Sequence, residues 1–215
     1  MPGCAAAAFH PLIRLSFAIE TQTPSEMAIA LAYWASRFLR LGGNAVIGQT
    51  PLSPDPKVLL RHLAEETAFK HRPDQDSLID AEMKRATCIP EFAPVMFWLE
   101  IVPDTVQRLA RTVLEVYAAT ADFTVLHMVT AVQAARSVLP YCGAPEPATR
   151  YLWQAIAAAY LSIGKPAIPD MVAWQNRRVI DVPIAEAVAH YQAVEPNSPL
   201  VRTARGLAIY VGEEE

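Results

Sequence analysis

Residues 122–139 read Asp-Phe-Thr-Val-Leu-His-Met-Val-Thr-Ala-Val-Gln-Ala-Ala-Arg-Ser-Val-Leu and lie between a capping aspartate and a proline. Asp122 is a favourable helix N-cap, and Pro140 cannot continue a helix because it has no backbone N–H. Mostly apolar side chains recur between these ends at steps of three and four residues, the spacing of one helix face. The predicted buried face comprises Phe123, Leu126, Thr130, Ala131, Ala134 and Val138. The sequence therefore predicts a helix that packs against neighbouring elements.

His127 lies inside this apolar stretch. A buried imidazole needs a hydrogen-bond partner or a metal, because leaving it unpaired costs about 1–3 kcal/mol. The commoner explanation is a core histidine bonded to a neighbouring carbonyl or carboxylate. A ligand or catalytic role is the alternative, since histidine is also a frequent metal ligand.

The composition is that of a well-buried globular protein, with 53% hydrophobic and 19% charged residues. The net charge of −4 comes from interleaved acids and bases, so no basic stripe is present and nucleic acid is not an expected partner. Cys4, Cys88 and Cys142 are odd in number and widely spaced, which predicts reduced thiols in a cytoplasmic protein. The most apolar predicted helix, 151–163, is too short to span a bilayer, so no membrane partner is expected.

The remaining pattern predicts an all-α protein, a bundle of packed antiparallel helices forming a single domain over residues 1–215. A helix begins or kinks at Pro11, and further helices are expected over 23–41 and 56–69. The short links between the helices at 103–120, 122–139 and 146–163 imply that these three pack side by side. His62 and His71 adjoin charged residues and are predicted to be solvated.

Several blocks of the sequence, taken together, resemble the questin oxidase-like family. The first is Ala-Ala-Phe-His-Pro-Leu-Ile-Arg-Leu-Ser-Phe-Ala-Ile-Glu at 7–20, which reads on through 28–39. The others are Ala-Asp-Phe-Thr-Val-Leu-His-Met-Val-Thr at 121–130 and Arg-Tyr-Leu-Trp-Gln-Ala-Ile-Ala-Ala-Ala-Tyr at 150–160. The resemblance also implies that the chain corresponds to the C-terminal two thirds of a family member, whose N-terminal helical region carries a further histidine.

The resemblance implies an all-helical oxidoreductase that oxidises or opens the ring of a small hydrophobic aromatic substrate. The reaction would be oxygen-dependent, Baeyer-Villiger-like or of the dioxygenase type, with NADPH as the possible reductant. Non-haem iron held by histidines and a carboxylated lysine is the implied metal. Residue by residue, His10 and His127 match two candidate ligands, and Arg14 would steer a phenolate or oxyanion.

The sequence departs from the family pattern near its C-terminus, where members have an acidic-His-x-x-Lys segment. Pro183 stands at the histidine position, and Glu186 stands at the lysine position. Glutamate imitates the carboxylate of a carboxylated lysine with a shorter reach, and His190 lies one helical turn further on, so Glu186 is the third candidate metal ligand. An ordinary amphipathic helix explains the same letters.

Two functional hypotheses follow. The first is a family oxidoreductase, expected to act on an aromatic substrate and to self-associate through apolar surface that the family's N-terminal region would otherwise cover. The second is a metal-free helical remnant or gene fragment that keeps the fold and acts as a binding or structural protein. The metal ligands discriminate between them.

Overall fold

The computed structural model describes residues 1–42, 49–74 and 76–169. By its internal contacts the chain divides into two compact units, 1–168 and 169–215. The predicted ligand Glu186, with His190, lies outside the described residues. The single domain expected over 1–215 stays a prediction.

The described residues form eight α-helices and no strand, which confirms the predicted all-α class. The helices are α1 His10–Glu20, α2 Pro24–Ser36, α3 Pro56–Glu65, α4 Ile79–Ala86, α5 Val95–Trp98, α6 Thr105–Thr120, α7 Phe123–Val138 and α8 Pro145–Ser162. An isolated bridge joins Ser53 to Leu99 outside them. No helix in the described part of the chain is both long and apolar enough to cross a lipid bilayer.

Helix α7 is the centre of this array, since α1, α6 and α8 all pack against it. Its predicted cap is confirmed: Oδ1 of Asp122 accepts hydrogen bonds from the backbone N–H groups of Thr124 at 2.7 Å and Val125 at 3.2 Å. These bonds satisfy two of the N–H groups that a helix start leaves without intrahelical partners.

The buried face of α7 is only partly the predicted one. Ala131, Ala134 and Val138 are buried, but Phe123 is 68% exposed. Several residues outside the predicted face are also buried, among them Val125, Met128 and Val132. The physical reason is that α7 has neighbours on three sides and apolar residues nearly all round, so the periodicity does not fix its rotation.

Helix α8 supplies the largest buried side chains of the core. Trp153 is fully buried, and its indole N–H donates to the carbonyl oxygen of Val95 at 2.8 Å. The hydroxyl of Tyr160 donates to the carbonyl oxygen of Pro166 at 2.7 Å. The polar atoms of both aromatic residues are thus paired, as burial requires.

Helices α1, α2 and α3 follow the predictions with corrected ends, whereas α4 and α5 were not predicted as helices. Helix α1 begins at His10 and keeps Pro11 in its first turn, where proline is tolerated. Helix α3 buries Leu59, Leu60 and Leu63, and it stops at Glu65, earlier than expected. Helix α2 stops at Ser36 rather than near Leu41, and no glycine or proline marks that end in the sequence.

The end of α6 offers a test of backbone strain. Ala121 caps this helix with φ of 49°, a left-handed conformation that costs an L-residue about 1–2 kcal/mol. Because Ala121 is exposed, Ala121→Gly loses no packing, and we expect it to stabilise the protein by about 0.5–1 kcal/mol in urea unfolding. The matched control is Ala119→Gly, exposed within the same helix, which should destabilise by about 1 kcal/mol. The same sign for both variants would contradict the prediction.

Candidate functional site

The structure brings together the two histidines singled out from the sequence, 117 residues apart in the chain. Nε2 of His10, at the start of α1, lies 3.2 Å from Nε2 of His127, in the second turn of α7. The ring centroids are 5.0 Å apart, with the planes inclined at 70°. The two imidazoles therefore meet edge to edge through the same nitrogen of each ring.

The backbone of α7 sets the tautomer of His127. Its Nδ1 lies 2.8 Å from the carbonyl oxygen of Phe123. Since a carbonyl can only accept, Nδ1 carries the proton and donates it. Neutral His127 consequently presents the lone pair of Nε2 toward His10. Fixing one ring nitrogen by a backbone hydrogen bond is also the usual way in which proteins orient a metal-binding histidine.

A second polar contact ties the same two helices together. Ser137 donates to Oε1 of Glu20 at 2.7 Å. Glu20 lies ten residues beyond His10 and Ser137 lies ten residues beyond His127, so α1 and α7 run parallel through both contacts. Anchoring at both ends of the interface fixes the register of the helices and with it the separation of the histidine rings.

His10 is positioned by a turn of left-handed backbone conformation that immediately precedes it. Ala7, Ala8 and Phe9, which immediately precede it, have φ of 44°, 54° and 66°. Each costs an L-residue about 1–2 kcal/mol relative to a right-handed conformation. Phe9 is completely buried, and its packing holds the turn in place. The sequence contains no glycine here to signal such a turn, so only the structure reveals it.

The two histidines differ in exposure. His127 is 7% exposed, whereas His10 is exposed at the protein surface. The side of the His10 ring that packs against the protein is desolvated, which lowers the pKa of His10; the neighbouring His127 lowers that pKa further, against an opposing hydrogen bond with the backbone of Ala7. A depressed pKa favours the neutral imidazole, which is the form that accepts a proton or binds a metal.

An aromatic ring and an ion pair flank the histidines. The ring of Phe123 packs edge-on against His127 with centroids 4.6 Å apart, and Phe123 itself is largely exposed. Arg14, the residue predicted to steer an oxyanion, lies one helical turn after His10. Its guanidinium is paired with Glu26 of α2 at 2.9 Å, with both side chains 46% exposed. The steering role of Arg14 stays a prediction.

The two histidines fit part of a metal site. Two ligand nitrogens, each about 2.0–2.1 Å from one ion, lie about 3.0–3.4 Å apart at the common coordination angles. The observed separation of 3.2 Å falls within that interval, and it equally suits a hydrogen bond from His10 to His127. The described residues contain no group of three or more histidine, cysteine, aspartate or glutamate side chains that could hold an ion. A metal held by this pair would therefore need a further ligand from outside the described residues.

The sequence reasoning missed a second histidine contact. His71 is not solvated as predicted: its side chain is 13% exposed, and its Nε2 lies 2.8 Å from Oε2 of Glu82 on α4. Glu82 is itself buried and also pairs with Arg85. The prediction was wrong because His71 was judged by its charged sequence neighbours, whereas its partner is eleven residues away. His62 is solvated as expected, with a side chain 42% exposed.

Curated relatives match only a part of the chain. ATP-dependent 6-phosphofructokinase 1 of Nostoc sp. is 51% identical over 72 residues, 33% of this chain and 20% of that protein. ATP-dependent 6-phosphofructokinase 1 of Synechocystis sp. is 42% identical over 73 residues, 34% of this chain and 20% of that protein. The chain thus spans about a fifth of the length of these relatives. No solved structure matches it.

A protein-family model described as questin oxidase-like matches residues 1–207 of the 215. The match includes both histidines and every described helix, and it confirms the resemblance carried by the Phe-His-Pro and Leu-His-Met segments. The chain belongs to the questin oxidase-like family.

Proposed function

We propose that the protein is an oxidoreductase that carries out an oxygen-dependent oxidation of a small, hydrophobic aromatic substrate at a metal site containing His10 and His127. Membership of the questin oxidase-like family favours the oxidoreductase class. The single observation that carries the site is the 3.2 Å separation of the two Nε2 atoms, each on a different helix. The phosphofructokinase matches cover too little of either chain to suggest an activity.

The described residues support particular roles at this site. His127 would supply a fixed lone pair, since its Nδ1 proton is committed to Phe123. His10 would supply the second nitrogen by moving its own proton to Nδ1, which needs only a change of tautomer. Non-haem iron is the proposed metal, because imidazole and carboxylate form a suitable ligand set, and it would supply oxygen activation. NADPH is proposed as the reductant.

The surface beside the histidines suits an aromatic substrate. Phe123 exposes most of its ring next to His127, and an exposed aromatic face favours offset or edge-on contacts with a planar ring. Glu186 is proposed as the carboxylate ligand. Arg14 would orient an oxyanion of the substrate, if it exchanges its pairing with Glu26 for that oxyanion.

Metal binding tests the proposal directly. We expect the anaerobically purified protein to bind about one Fe(II) per chain, and His127→Ala and His10→Ala each to weaken that binding at least about a hundredfold, because each removes one ligand. Iron content by elemental analysis and Co(II) absorption titrations measure this. Binding should fall as the pH falls through the His10 pKa, which partial desolvation of the ring holds below the usual value for histidine.

The matched control is His62→Ala, which removes an exposed histidine on α3 that pairs with Glu66 at 3.5 Å. This variant should bind Fe(II) like the unaltered protein. If all three alanine variants bind Fe(II) with the same affinity, or if none of the proteins binds Fe(II), the proposed metal site is refuted. The alternative hypothesis, a metal-free binding or structural protein, then remains. Glu186→Gln then tests the third ligand by the same titration.

A further inference from the structure

A cavity of about 250 Å³ lies away from the two histidines, between the N-terminal turn, the segment that follows α2, and helix α8. Apolar side chains form most of its wall, and one buried amide faces them. The residues that matter here are Phe38, Leu41, Met96, Gln154 and Ala155. A space of this size suits a ligand of one or two rings, smaller than the usual drug-sized ligand.

Gln154 is the polar feature of this cavity. It is only 8% exposed, and its Nε2 donates to the carbonyl oxygen of Leu41 at 3.4 Å, a long hydrogen bond. A carbonyl can only accept, so the nitrogen must face Leu41 and the amide oxygen must point elsewhere. Within the described ranges that oxygen accepts no hydrogen bond, and it is not sealed from solvent.

This oxygen accepts no hydrogen bond from the described protein residues and is reachable from the cavity side by solvent, so a ligand can take the place of water there. The second N–H of the same amide also has no hydrogen-bond partner among the described residues. Gln154 therefore has one acceptor and one donor available to a ligand, in the plane of a single amide and among apolar side chains.

Two other polar residues of the cavity wall, Cys4 and Arg40, do not supply a buried group that recognises a ligand. Burial raises the pKa of the Cys4 thiol to about 12, and its sulfur donates to the carbonyl oxygen of Tyr151 at 3.4 Å, so it is not a nucleophile at neutral pH. Arg40 lies on the same wall but is exposed, so water screens its charge. The polar group that is available to recognise a ligand in this cavity is therefore the side-chain amide of Gln154.

We propose that this cavity binds a small planar heterocycle with an amide-type edge, a lactam or pyrimidine-like ring in which an N–H adjoins a carbonyl. The ring N–H donates to Oε1 of Gln154, and the ring carbonyl accepts from Nε2. The side chains of Phe38 and Met96 contact the apolar part of the ring. A carboxylate has no donor for Oε1, and a hydrocarbon would leave Oε1 unpaired, so both bind less well.

The test uses 2-quinolone as the probe and coumarin as its matched partner, which has the same fused-ring shape and carbonyl but a ring oxygen in place of the N–H. Calorimetry and the fluorescence of Trp34, whose indole donates to the backbone of Pro2 at the cavity wall, report binding. We expect 2-quinolone to bind at least about tenfold more tightly than coumarin, because bound coumarin has no N–H to donate to Oε1 of Gln154. Equal affinities, or no binding of either probe, overturn the proposal.

Variants localise the site. Gln154→Met keeps the size of the side chain and removes both polar groups, so it should abolish the preference between the two probes. Gln154→Glu, a second variant in case the first does not fold, should weaken 2-quinolone binding because a carboxylate cannot donate to the ring carbonyl. Gln133→Met, on α7 outside the cavity lining, is the matched control and should leave both affinities unchanged. Because the cavity lining includes neither His10 nor His127, the outcome is independent of the proposed metal site.

Discussion

Trp153→Ala is expected to lower the free energy of unfolding by about 3–5 kcal/mol, the range for removing a large aromatic side chain from a packed core. Trp153 is fully buried on α8, and its indole N–H pairs with the carbonyl oxygen of Val95 at 2.8 Å. Truncation would leave a cavity and an unpaired buried carbonyl. Urea unfolding followed by circular dichroism measures the loss as a lower midpoint with an unchanged slope.

Two control variants separate the loss of packing from the loss of the hydrogen bond. Trp153→Phe keeps most of the ring and removes the hydrogen bond, so we expect a loss of about 1–3 kcal/mol. Trp34→Ala removes a tryptophan of α2 that is only partly buried, and should cost less than either Trp153 variant. An equal loss for Trp34→Ala and Trp153→Ala would show that α8 is not the core helix of the described unit.

Glu82→Ala is expected to destabilise the protein by about 2–3 kcal/mol near neutral pH. Glu82 is buried, and its carboxylate accepts from His71 at 2.8 Å and from the backbone of Asp74 at 3.4 Å. Hydrogen bonds to charged groups are worth about 1.5–3 kcal/mol, and removal of this acceptor leaves the buried ring of His71 unpaired. Arg85 is half exposed and can turn to water, so its loss adds little.

A double-mutant cycle isolates the histidine contact. If His71 and Glu82 interact as the structure shows, the His71→Ala and Glu82→Ala losses will not add, and their coupling will be about 1–2 kcal/mol. Glu91→Ala, at an exposed position after α4, should change the free energy of unfolding by less than about 0.5 kcal/mol. Strict additivity of the two single losses would refute a direct contact.

The residues of the candidate site were predictable from the sequence, but the geometry that brings them together was not. His10 and His127 were selected from short segments that resemble a family, and the structure brings their Nε2 atoms to 3.2 Å. The left-handed turn at 7–9 that positions His10 was not predictable, because alanine and phenylalanine rarely adopt that conformation. The pairing of His71 with Glu82 was also not predicted. It depends on how α4 packs against the segment that contains His71, and no local sequence pattern indicates that contact.

The sequence by itself determined the all-α class, the cap at Asp122 and the presence of helices near α1 and α3, because these follow from local hydrogen bonding and from the spacing of apolar residues. The tertiary structure alone decided the rotation of α7, the meeting of the two histidines and the orientation of the Gln154 amide. Those features depend on which helices become neighbours, and neighbours far apart in the chain are chosen by packing of the whole core rather than by any one segment.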